Sequence, residues 1–321
     1  MAHTFDYDAA QVAVVTAKFV EQDSYLSALV GRDYQDEFLA PGTANRPIKI
    51  KYPTTLFARS RDIDDITSNI ELDEIVESST TLNLDKDMVY SAVPLSEGDL
   101  NLKLTDFSKQ VLRPQAKSIS EEIEDRVASK LLSIDAPESF TASYDPTNPV
   151  AYFTRLRKHL RDNGVPQGNL QLVVGTGIFA DLLDSKAITD VSESGSTAAL
   201  REGQVGKVRG FTVVESTRVE DYEVLAFHRD AVTLVTRAPA VPAGANFGAS
   251  VAEGGYNMRY MRDYDAIKTV DRSIVATFMG IAVLPTFKIE RDKELRKATI
   301  TPIEHGGIVH VSDVTKAPAG A

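Results

Sequence analysis

Gly175-Thr176-Gly177-Ile178-Phe179-Ala180 is the stretch with the strongest chemical potential in this chain. It follows the apolar run Leu170 to Val174 and opens a helical pattern near Ile178 to Leu183. A G-x-G-x-x-A turn between a strand and a helix can present backbone N–H groups to a pyrophosphate, and Asp190 or Glu193 lies within sequence reach of a ribose. The competing reading is steric: a tight strand-to-helix turn needs small residues with or without a ligand. No second βαβ unit follows, so a doubly wound sheet is not expected, and a nucleotide-dependent enzyme using the Gly175/Gly177 turn stands as the alternative of another class.

Two further groupings have the right residue types and the wrong spacing. Asp62-Ile63-Asp64-Asp65 resembles the opening of a calcium loop, but Thr67 stands where glycine is required and Asp73 where glutamate is usual. Glu304, His305 and His310 are metal-ligand types, yet residues five apart in a strand point to opposite faces. His3, His159 and His228 have no sequence partners, and neither G-x-S-x-G nor a Walker A pattern occurs. No catalytic, cofactor-binding or metal-binding residue is assigned, no cofactor is implied, and the chain is read as a non-enzyme.

The whole chain gives the setting. Its 321 residues can bury a substantial core, and 43% hydrophobic with 25% charged residues is ordinary for a folded protein. A formal net charge of -11 argues against general nucleic-acid binding, because few cations are left over to displace counterions from phosphates. The absence of cysteine rules out disulfides and thiolate metal sites and fits a reducing cytoplasm. No secretory signal is visible at the N-terminus, and the longest uncharged apolar run, Ser273 to Phe287, is too short for a membrane helix.

The elements that must position these residues are organised around Thr105 to Ile134. Phe107, Val111, Ile119, Ile123, Val127 and Leu131 lie mostly four apart, the stripe of a helix on the order of 40 Å long. Glu121, Glu122, Glu124 and Asp125 are assigned to its solvated face, and Pro114 predicts a kink or break near Arg113. Before it, Asp8 and Gln11 form a capping box for a stripe from Val12 to Val30 that ends at Gly31. Asp33 to Pro47 reads as an extended arm. Arg46 to Tyr52 alternates as a strand, with a return strand from Ser79 to Val93. Between them Ser60 to Ser78 carries seven acidic residues against Arg61 alone, a hairpin tip without a core of its own.

After the long helix, Asn148-Pro149 starts a helix that stops at Gly164. Strands are predicted at Leu170 to Val174, Val208 to Ser216, Val224 to His228 and Val232 to Thr236, with a polar loop at Ser192 to Thr197. Ala238 to Ala252 reads as a connector, followed by strands at Tyr256 to Met261 and Ile267 to Val283. The tail from Lys288 is charged, and loose from Thr315.

This order of elements resembles the major capsid protein of tailed bacteriophages, with the Hong Kong 97 fold. The resemblance is carried by Leu200-Arg201-Glu202-Gly203-Gln204-Val205-Gly206-Lys207-Val208-Arg209-Gly210-Phe211-Thr212-Val213-Val214-Glu215-Ser216 and by Ala226-Phe227-His228-Arg229-Asp230-Ala231, and extends to about Leu284. It implies an α+β chain: N-terminal arm 1–45, E-loop 46–95, peripheral domain with spine helix 96–145, axial domain 146–245, peripheral return strands 246–290 and C-terminal extension 291–321.

The implied function is self-assembly, as hexamers and pentamers, into an icosahedral shell around double-stranded DNA, in the virion and built in the host cytoplasm. The implied partners are copies of itself, a separate scaffolding protein, a portal, decoration proteins, and DNA held without sequence-specific contact; no membrane is involved. The chain begins almost at once with the arm helix, so a fused scaffolding domain is not expected. Lys49, Lys51, Lys86, Asn69 and Asn83 do not match an isopeptide pair, and no crosslink is predicted. An encapsulin-type nanocompartment shell is the alternative of the same class.

Overall fold

The computed structural model describes residues 8–34, 48–52, 58, 60, 62–64, 67, 69–70, 72, 78–85, 87–95, 107–135, 137, 139–185, 206–245, 247–265, 267, 270–292 and 297–316. They belong to two compact units. The first takes in Met1–Ile48, Leu82–Lys130 and Val232–Ala282; the second takes in Lys49–Thr81, Leu131–Ala231 and Val283–Ala321. Most of the Asp33 to Pro47 arm, the Ser192 to Thr197 loop and Leu200 to Val205 lie outside the described residues.

The first unit opens with α1, Ala9–Gln22, capped by the expected box: the Gln11 amide donates to Asp8 Oδ1 at 2.8 Å and the Asp8 amide to Gln11 Oε1 at 3.4 Å. Val12, Ala13, Ala17 and Val20 are its buried face. The stripe predicted to run on to Gly31 breaks after Gln22 and resumes as α2, Leu26–Leu29. The amides freed at Tyr25, Leu26 and Ser27 are taken by a carboxylate of the long helix instead of by the preceding turn.

That long helix is α3, Arg113–Leu132, preceded by a π-helical turn at Ser108–Leu112 in which the Arg113 amide reaches back to the Ser108 carbonyl. The predicted break at Pro114 therefore takes the form of a wider turn just upstream. A proline has no N–H to give and its ring crowds the carbonyl four residues back; the i-to-i+5 register moves that carbonyl aside, so the helix continues.

Against α1 and α3 lies a sheet in the order β3 (Met88–Leu95), β11 (Val270–Val283), β10 (Tyr256–Asp265), β9 (Phe247–Glu253), with β8 (Val232–Arg237) pairing β11. The pairs β10–β11, β10–β9 and β11–β3 are antiparallel. Two expectations are corrected. The connector at Ala238 to Ala252 contains β9, where a Cβ at Gly248 would stand 2.9 Å from Val241 Cγ1, so that position is held small by the neighbouring segment. The single return strand from Ser79 to Val93 is two strands, β2 (Ser78–Leu82) on β1 (Ile48–Tyr52), and β3 on β11. Between them the chain changes sheets, where Asn83 lies against Gly280 and the Asp85 amide donates to the Met279 carbonyl at 2.8 Å.

The second unit is a five-stranded sheet in the order β14 (Ile308–Val311), β7 (Val224–His228), β4 (Leu170–Val174), β6 (Phe211–Glu215), β5 (Lys207–Val208), with β4 and β6 parallel and the other pairs antiparallel. Helices α4 (Pro149–Asp162) and α5 (Thr176–Asp184) bury Phe153, Leu156, Leu160, Ile178 and Leu182 with Leu170, Leu172, Val174, Val224 and Ala226, alternate residues of one sheet face. The predicted strand Val208 to Ser216 is a hairpin, because Arg209 (φ 50°) and Gly210 (φ 89°) turn the chain left-handed at its second residue.

The tail is the largest correction. Lys288 to Ile303 forms most of an antiparallel pair, β12 (Thr286–Asp292) and β13 (Lys297–Ile303), and Ile308–Val311 supplies the edge strand of the sheet just described. Thr315, expected to be loose, donates from amide and hydroxyl to Asp313, and Val314 is buried.

Candidate assembly elements

The glycine turn is closed by its own chain. A Cβ at Gly175 would fall 1.7 Å from the Glu220 carbonyl oxygen, so only glycine admits this approach. The Gly175 amide donates to the Glu223 carbonyl at 3.1 Å, the Ile178 amide to the Asp221 carbonyl at 3.1 Å, and Thr176 Oγ1 to Asp221 Oδ1 at 2.6 Å. The Gly175 and Ile178 amides and the Thr176 hydroxyl are thus spent on the Glu220–Glu223 turn; Asp190 and Glu193 lie outside the described residues.

The other two groupings come apart as well. The Asp64 amide donates to Asp62 Oδ1 at 3.0 Å, a local turn, while Asp65 and Asp73 lie outside the described residues. His305 sits in a turn at φ 58°, and His310 is buried elsewhere: Nδ1 donates to the Ile134 carbonyl at 2.9 Å and Nε2 lies 2.7 Å from Glu223 Oε1. Among the described residues no three His, Cys, Asp or Glu side chains converge on a metal position. His310 instead ties β14 and the turn before β7 to the chain leaving the long helix.

Glu124 is the polar centre of the first unit. Although assigned to the solvated face, it is buried and accepts from the amides of Tyr25 (3.2 Å), Leu26 (2.7 Å) and Ser27 (2.9 Å) and from the Ser27 hydroxyl. Ser27 Oγ also meets the Tyr256 hydroxyl at 2.7 Å, and the Arg32 guanidinium lies 4.0 Å from the centroid of the Tyr256 ring. A carboxylate at a helix start satisfies amides that have no intrahelical partner, so this contact fixes the leading segment on the long helix. Gln115 does the same one face along, donating to the carbonyls of Ser91 (3.1 Å) and Ser273 (3.0 Å) while accepting from Ser273 Oγ.

The spacing held the signal for Glu124: Ser120, Glu124, Ala128 and Leu131 step by four, four and three along a buried stripe. Charge type outweighed it. For Glu223 and His310, far apart in the chain, no local signal exists.

Ile50 of β1 and Leu82 of β2 are buried, whereas in the sequence between the two strands Ile63 is 97% exposed and Leu72 89% exposed, with Ile70 also exposed. The second unit carries a cleft of about 650 Å³ between residues 139–145 and α4, floored by Phe140, Tyr152 and His159 and rimmed by Arg155 and Lys158. In the same unit Tyr144 donates to Asp181 Oδ2 at 2.9 Å, and burial pushes its pKa well above the ordinary phenol value. Among the described residues no helix is long and apolar enough to cross a membrane.

Comparison of the fold with solved structures decides the architecture. A structure from Mycobacterium phage Che8 aligns with TM-score 0.58 and 18% identity, covering 89% of this chain and 90% of that one. The capsid of Ralstonia phage GP4 aligns with TM-score 0.55 and 10% identity, over 92% and 90%. The asymmetric unit of the bacteriophage PhiM1 mature capsid aligns with TM-score 0.50 and 16% identity, over 90% and 86%. The chain has the Hong Kong 97 capsid fold. No family model matches the sequence, and no curated protein matches it. The capsid fold is thus shared through backbone architecture across most of the chain, at identities where few side chains correspond.

Proposed function

We propose that this chain is the major capsid protein of a tailed bacteriophage, assembling as hexamers and pentamers into an icosahedral shell that encloses double-stranded DNA. The observation that carries the reading is the correspondence of about nine-tenths of the chain with the GP4 capsid and the PhiM1 mature capsid. In this reading residues 1–45 are the N-terminal arm, 46–95 the E-loop, 96–145 and 246–290 the peripheral domain with its spine helix, 146–245 the axial domain and 291–321 a C-terminal extension. The role is structural, and the occupied turn at Gly175 supports it by removing the best nucleotide site.

Ribbon physics points the same way. A two-stranded ribbon is marginal alone and here leaves Ile63 and Leu72 in water, a cost that contacts with neighbouring copies offset. Repeating one such contact around a rotation axis closes a ring, and rings close a shell. The net charge of -11 suits an inner wall along which packaged DNA slides without sticking. A separate scaffolding protein, a portal and decoration proteins complete the set of partners, with assembly in the host cytoplasm.

Deleting Ser60 to Ser78 tests the reading. The deleted chain is expected to keep the circular dichroism and melting transition of a folded protein and to lose particles in sedimentation. Normal particles from it contradict the E-loop assignment, and protein cargo in place of DNA inside wild-type shells indicates a nanocompartment.

A further inference from the structure

Residues 141–144 of the second unit have the burial pattern of a strand and pair with no strand among the described residues. Phe140, Ala142 and Tyr144 are half-buried against the core, while Thr141, Ser143 and Asp145 are exposed. A strand carries its N–H and C=O groups sideways, between those two faces. Among the described residues no hydrogen bond reaches the backbone of Thr141, Ala142, Ser143 or Tyr144. Ring contacts set this segment along α4: Phe140 is edge-on to His159 (centroids 5.6 Å apart) and to Tyr152 (5.7 Å), and Tyr144 is edge-on to Tyr152 (5.6 Å). The segment therefore runs back along the helix, and the cleft of about 650 Å³ lies between the two.

Two side chains lining that cleft are also left open. Tyr152 is only 3% exposed, and its hydroxyl has no hydrogen-bond partner among the described residues. Burial is the sole cause raising its pKa above the ordinary phenol value, so no hydrogen bond contributes. A buried hydroxyl without a partner is costly, and a ligand that supplies one removes the cost. Arg155, exposed at the rim, has no carboxylate partner among the described residues, whereas Lys158 beside it is neutralised by Asp162 at 2.5 Å. The other rim acid, Asp145, stands before the start of α4 and accepts the Thr147 amide and hydroxyl. Positive charge thus prevails around Arg155 and negative charge at the opposite end.

These openings fit one kind of occupant. A free strand edge takes up another extended chain through main-chain hydrogen bonds, and a pocket beside it selects side chains. A guanidinium without a counter-charge selects a carboxylate. The volume lies in the range of binding pockets, and the half-buried rings of Phe140 and His159 give it an apolar floor.

We propose that this cleft binds an extended acidic peptide segment of a partner protein, which adds a strand along residues 141–144 and sets a carboxylate against Arg155, with the Tyr152 hydroxyl bonded to the incoming chain. This goes beyond the shell reading and does not use it.

An array of blocked hexapeptides, varied at every position, is read with the labelled full-length chain. The expected selection is an acidic residue at one position with apolar or β-branched neighbours and no proline. The best peptide is expected to bind Arg155→Glu at least tenfold more weakly, and to bind Lys109→Glu, the same charge change in the other unit, as it binds the wild type. N-methylation of its backbone amides is expected to abolish binding. Tyr152→Phe is expected to weaken binding severalfold at an unchanged or higher melting temperature; a lower melting temperature shows that the hydroxyl is already used and counts against the proposal. Selection of no peptide or of basic peptides, or binding indifferent to Arg155→Glu or to N-methylation, overturns it. So does hexathymidylate that displaces the peptide at equal affinity, which marks a nucleic-acid site. Peptide binding by free subunits and not by particles also overturns it and gives the face to a neighbouring copy. Particle formation by the wild-type chain is scored separately, so the shell reading stands or falls on its own.

Discussion

Glu124 in the middle of the long helix accepts the amide of Ser27 at 2.9 Å and its hydroxyl as well, joining residues 97 apart in sequence. With the Tyr25 and Leu26 amides on the same carboxylate, this is where the leading segment is held. Glu124→Ala removes the acceptor and leaves buried donors unpaired, at about 1–3 kcal/mol for each donor that finds no water. The expected outcome is a loss of roughly 3 kcal/mol in urea unfolding of the purified chain. Glu124→Gln, which keeps one acceptor oxygen, is expected to lose about half as much. A change below about 0.5 kcal/mol in Glu124→Ala removes the anchoring role.

His310 and Glu223 form a second long-range tie, 2.7 Å apart and both buried. Removing either partner strands the other, so His310→Ala and Glu223→Ala are each expected to cost about 3 kcal/mol or more. The double change to His310→Leu with Glu223→Met is expected to recover part of that, because neither side chain then strands the other, while the Ile134 carbonyl and the Glu220 amide still lose their partners. Unfolding midpoints of the four chains give the coupling directly, and strictly additive losses count against the tie.

Acid is expected to loosen the second unit through His228 and His159. Burial lowers both pKa values from 6.5. In His228 the Nδ1 lone pair accepts the Asp230 amide at 3.2 Å, so protonation there breaks a hydrogen bond. A lowered histidine pKa means that the unfolded chain takes up the proton first. The stabilisation is complete above pH 6.5 and is lost as the pH falls below it, by at most about 1.4 kcal/mol per pH unit for each histidine. Melting curves from pH 7.5 to 5 check this, and His228→Gln is expected to flatten the dependence. An unchanged slope in that variant removes His228 as a source.

Gly175→Ala places a methyl group inside the Glu220 backbone. The expected result is loss of soluble chain or a fall of several kcal/mol in stability, since backbone cannot yield as a side-chain tip does. Gly168→Ala, with nothing within 4 Å, is the matched control. Equal stability of the two variants contradicts the close approach.

Local chemistry was legible in the sequence and long-range placement was not. The Asp8–Gln11 box, the Gly164 stop, β4 and the helix after it follow from spacing and caps within a few residues, and the structure has them there. Glu124 was misplaced because its neighbours Glu121, Glu122 and Asp125 share its charge and lie outward while it alone lies on the buried stripe. β9 was hidden by its small residues, of which Gly248 is held small by Val241, and β14 by the distance to β7, which pairs it across about 80 residues.

Electron microscopy of the purified full-length chain, alone and with a candidate scaffolding protein, tests the central claim most directly. The account predicts closed particles of icosahedral symmetry built from rings of six and five copies. A monodisperse, well-folded monomer under both conditions, with the ribbon residues Ile63 and Leu72 protected from labelling by its own body, contradicts it.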